Sequence, residues 1–70
     1  MHKYEVIIYW SKDDEIFVAE VPQLSGCMAH GNSPEEALRS AQDAIDLWIE
    51  VAKKHGDPIP EPPGRRLMLA

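Results

Sequence analysis

The chain has a single cysteine, Cys27, so no intramolecular disulfide can form. That fits a reducing compartment. No stretch approaches the roughly 20 apolar residues needed to cross a bilayer. The apolar run within MHKYEVIIYW is too short for the core and cleavage site of a secretory signal. A cytoplasmic protein that does not engage membranes is expected. Basic charge is also scarce: seven Lys and Arg stand against twelve Asp and Glu, a net charge of -5. An acidic surface repels phosphate backbones, so direct nucleic-acid binding is not expected, whereas a basic protein partner is compatible. Neither a P-loop nor a G-x-G-x-x-G pattern occurs.

The chemistry-bearing residues are few and scattered. Cys27 and His30 stand three apart in what reads as a strand, so they face opposite sides and do not converge on one metal ion. Asp13, Asp14 and Glu15 are adjacent in a turn, where carboxylates are ordinarily solvated rather than gathered around Mg²⁺. No nucleophile, base and orienting group share a recognisable spacing. At 70 residues there is little room for a deep pocket. The sequence therefore predicts no catalytic residues, no metal site and no cofactor, and a protein that is not an enzyme.

What is present is a clear pattern of elements. Lys3 to Trp10 reads as a strand rich in β-branched and aromatic residues, with Tyr4, Val6, Ile8 and Trp10 on one face. Glu5, Ile7 and Tyr9 make a second, partly apolar face, which another subunit would cover. Ser11 to Asp14 is a turn, and Glu15 to Val21 a second strand ended by Pro22. Leu24-Ser25-Gly26 turns again, and Cys27 to Gly31 is a short third strand.

Ser33-Pro34-Glu35-Glu36 opens a helix. The serine caps, the proline suits the first helical position, and Glu36 completes an S-x-x-E capping box. The helix runs to about His55 and stops at Gly56. At about 100° per residue, Ala37, Leu38, Ala41, Ala44, Ile45, Trp48, Ile49, Val51 and Ala52 share one arc that packs on the sheet. Leu47 lies at its edge, placed for an oligomer contact.

Residues 57–64 hold four prolines and read as a semi-rigid connector, and Arg65 to Ala70 as a short final strand. The expected fold class is α+β over one domain, residues 1–70. It is a three-stranded antiparallel sheet packed by one long helix, in the order β-β-β-α, followed by a short C-terminal strand. So small a core favours oligomerisation, and a homo-oligomer, dimer or tetramer, is expected. Partner contacts are expected from the acidic turn (Asp13, Asp14), the acidic helix face (Asp43, Asp46, Glu50) and Trp10, an aromatic anchor at a strand end.

The run Phe17-x-Ala19-x-Val21-Pro22-x-Leu24-x-Gly26-Cys27-x-x-His30-Gly31-x-Ser33-x-Glu35-Glu36-Ala37 resembles the HicB antitoxin family, and so does the tail Gly56-x-x-Ile59-Pro60-x-Pro62. Ser25 and Ala29 depart from the proline and threonine usual in the family. The resemblance implies a β-β-β-α-β, partial RNase H-like fold without that enzyme's carboxylate set. It implies an antitoxin of a type II toxin-antitoxin system, which binds and blocks HicA, a small basic ribonuclease toxin. Many members also carry a C-terminal DNA-binding domain. This sequence stops at Ala70 without one, so operon repression is not expected from the chain alone. The alternative reading is an orphan oligomeric structural or interaction module of the same fold, with no toxin partner.

Overall fold

A computed structural model of the chain describes residues 2–62. Three strands, β1 (Ile7–Ser11), β2 (Ile16–Glu20) and β3 (Met28–Gly31), precede one helix, α1 (Pro34–His55). The sheet is antiparallel in the order β1-β2-β3, so the expected α+β arrangement of three strands and one helix is what forms. The short final strand expected at Arg65 to Ala70 lies outside the described residues.

Register fixes the two faces. Ile8, Ala19 and Ala29 lie side by side, as do Trp10, Phe17 and Gly31, and all six share the face beneath the helix. The opposite face carries Ile7, Tyr9, Ile16, Val18, Glu20, Met28 and His30, because successive strand residues alternate sides.

The first strand is shorter than the sequence suggests. It starts at Ile7 rather than Lys3, because β2 pairs only as far as Glu20, opposite Ile7. Beyond it, the Val21 amide donates to the Cys27 carbonyl at 3.0 Å, on the β3 side, and Pro22, next in line to donate to β1, has no N–H. Tyr4 and Val6 still turn inward and pack in the core. Glu15 also moves, from the second strand into the turn, where its φ of 52° is left-handed.

The core is a wedge. At the start of the helix, Ala19, Ala29, Ala37 and Ala41 pack together. There Gly31 meets the helix backbone directly: a Cβ on it would stand 2.3 Å from the Ala37 nitrogen. Toward the far end, larger side chains fill the space: Tyr4, Val21, Leu24, Cys27 and Ile45, with Trp48 and Ile49 against them. Leu24 and Ile45 are the largest fully buried side chains. Each contributes about 1.5–3 kcal/mol of hydrophobic stabilisation.

Both helix ends are capped as their residues dictate. Ser33 Oγ accepts from the Glu36 amide at 3.1 Å. At the other end Gly56 has φ 71°, its amide donates to Lys53, and the Asp57 amide donates to Ala52 at 2.8 Å. These two bonds form a Schellman motif, which satisfies carbonyls the helix end leaves free. Of the expected buried arc, Val51 is an exception: it is 43% exposed, beside Leu47 at 61%.

Candidate interaction surface

Side-chain hydrogen bonds hold the loops around the far end of the helix. Trp48 Nε1 donates to the Ser25 carbonyl at 2.9 Å, fixing the β2–β3 turn to the helix. The Tyr4 hydroxyl donates to the Pro60 carbonyl, drawing the proline segment toward the start of the chain. The His2 amide donates to Gln42 Oε1 at 3.0 Å, and the His2 ring pairs with Asp46.

The expected contact residues fall into two separate places. Trp10 ends β1 and packs edge-on against Phe17, with ring centroids 5.0 Å apart. It is 52% exposed, so it belongs to the surface rather than the core. Asp13 and Asp14 are exposed in the adjacent turn, where Ser11 Oγ donates to Asp14 Oδ2 at 3.3 Å. This end of the sheet lies near the helix start, since Phe17 pairs with Gly31 and Gly31 abuts Ala37. Asp43, Asp46 and Glu50 are exposed on one side of the helix further along, at the end where His2 reaches Asp46. The acidic turn and the acidic helix face therefore do not form one site.

The rest of the exposed apolar surface is larger than these residues suggest. Ile7, Tyr9 and Met28, on the sheet face away from the helix, are each 41–48% exposed. Tyr9 donates its hydroxyl to Glu20 Oε1 at 2.9 Å. That bond, more than burial or the nearby charge, pushes the Tyr9 phenol above its ordinary pKa. A second apolar strip, an open groove along β3 and α1, includes Cys27, Met28, Leu47, Trp48 and Val51. The alternation of Ile7 with Tyr9 and Ile16 with Val18 announces a two-sided strand pair. Met28 and Glu20 join that face only through register, which the sequence does not print.

Cys27 is buried beneath the helix, and burial raises its thiol pKa. His30 points from the opposite face and is exposed, as the strand spacing requires. Among the described residues no group of three or more His, Cys, Asp or Glu is placed to hold a metal ion. No helix among them is long and apolar enough to cross a membrane.

The chain is acidic, and among the described residues the sheet face away from the helix exposes Ile7, Tyr9 and Met28. A family model described as the HicB-like antitoxin of a bacterial toxin-antitoxin system matches residues 4–65. The chain belongs to the HicB-like antitoxin family. Its relatives include the UPF0150 protein Ta0767 of Thermoplasma acidophilum, 44% identical over 59 residues and covering 83% of each chain. The UPF0150 protein ssl0259 of Synechocystis is 40% identical over 57 residues, 81% of this chain and 77% of its own. A UPF0150 protein of Archaeoglobus fulgidus is 33% identical over 55 residues, 79% of this chain and 78% of its own. No solved structure gives a significant match. Membership of this family gives the chain an antitoxin role and implies a toxin as its partner.

Proposed function

We propose that this HicB-like antitoxin neutralises a HicA-type ribonuclease by direct binding, covering the surface that holds RNA. The carrying observation is the family match over residues 4–65. The net charge of -5 supports a basic partner, because opposite charge speeds encounter and favours the right orientation. Asp13, Asp14, Asp43, Asp46 and Glu50 supply steering charge, and Trp10 an exposed aromatic contact. The antitoxin itself is non-enzymatic and acts in the cytoplasm without binding nucleic acid. Its sheet and helix are the body of a partial RNase H-like fold. The exposed Leu47 and Val51 on the helix support a homo-oligomer, dimer or tetramer, since so small a domain gains buried area by association.

Growth rescue tests the proposal. Expression of a HicA-type ribonuclease is expected to arrest growth, and co-expression of this chain to restore it. Arrest that persists while the chain accumulates in soluble form would contradict the antitoxin role.

A further inference from the structure

We infer that the basic toxin sits on the open face of the sheet, around Ile7, Tyr9, Ile16 and Met28, with Glu20 as its charged contact. The inference rests on the antitoxin reading above and gives that reading its interface.

Among the described residues, the helix covers one face of the sheet and no other element covers the opposite one. On the bare face Val18 lies at the centre, flanked in register by Tyr9 and His30. Ile7 and Met28 flank Glu20 in the same way. Val18 is only 3% exposed, whereas Ile7, Tyr9 and Met28 are each more than 40% exposed. A contiguous apolar patch on a small domain marks a surface built to be covered. Tyr and Met are also residue types enriched in such interfaces.

Charge decides what covers it. Glu20 stands between Ile7 and Met28, its carboxylate held by the Tyr9 hydroxyl at 2.9 Å. At one end of the face lie Asp13, Asp14 and Glu15, all exposed. Residues 3–20 hold five carboxylates, and only Lys3 and Lys12 oppose them. Two copies stacked face to face would press these like charges together and strip water from Glu20, which is costly without a cation. A basic partner meets the same carboxylates with Lys or Arg. A ribonuclease needs such cations to hold RNA phosphates. Pairing them with Glu20 and the acidic turn would occupy its RNA-binding groups while the apolar patch holds the two proteins together.

The test is inhibition of RNA cleavage by a purified HicA-type ribonuclease, with folding checked by circular dichroism and size by light scattering. Ile7→Lys combined with Met28→Lys changes exposed strand positions. This double variant is expected to need more than about tenfold the wild-type concentration for half-inhibition. Glu20→Gln is expected to need about three- to tenfold more. Equal inhibition by wild type and the double variant overturns the assignment and leaves the antitoxin role standing. A shift from wild-type dimer to monomer with inhibition intact gives the face to a second copy and overturns it too. A wild-type chain that fails to inhibit removes the antitoxin reading itself, and the proposed interface with it. Should the double variant not fold, Glu20→Gln and Tyr9→Phe decide, and unchanged inhibition by both overturns the interface.

Discussion

Gly31 shows how much one residue carries. It is the last residue of β3, and the helix backbone lies against it where any side chain would stand. In the sequence it reads only as a strand breaker, because its neighbour Ala37 is brought there by the fold. Gly31→Ala is expected to cost about 2–3 kcal/mol by forcing the helix start off the sheet. Thermal unfolding would show it as a fall in Tm of at least about 10 °C. Cys27 makes a gentler prediction. It is 5% exposed and burial raises its thiol pKa, so little thiolate is available near neutral pH. A thiol reagent is expected to label the native protein at least about tenfold more slowly than the unfolded chain. Equal rates would mean the wedge-shaped core opens readily at that end.

Among the elements, the helix was the most legible in the sequence. Its start is encoded locally by Ser33, Pro34 and the following glutamates, and its stop by Gly56, so neither depends on distant contacts. The cap is testable: Ser33→Ala removes the acceptor of the Glu36 amide and is expected to cost about 1 kcal/mol. Wild-type stability in that variant would mean the fold holds the helix start without its cap. Strand limits were less legible, because they depend on partners. Lys3 to Val6 has strand-like composition, yet Pro22 stands where β2 would next donate to β1, and it has no N–H to continue the ladder. Val51 fits the helical arc, but the sheet beneath it ends before reaching it. The acidic residues were readable as types, but their separation into two places was not. It follows from which end of the helix each element meets.

At the scale of the whole molecule, apolar surface is divided between a small core and faces left uncovered. The helix shields one side of a three-stranded sheet, and among the described residues no element covers the other, which carries Glu20. That division suits a protein that completes itself by binding, and the family match assigns the binding to a toxin. The excess of acid over base gives the encounter its expected salt dependence. Association is expected to slow as salt rises, because exposed charges lose their reach beyond about 8–10 Å.

The most direct measurement is cleavage of RNA by a purified HicA-type ribonuclease, titrated with this chain. The account predicts that cleavage stops at near-equal stoichiometry, with the two proteins migrating as one complex. Undiminished cleavage in the presence of a several-fold excess of folded chain would contradict it.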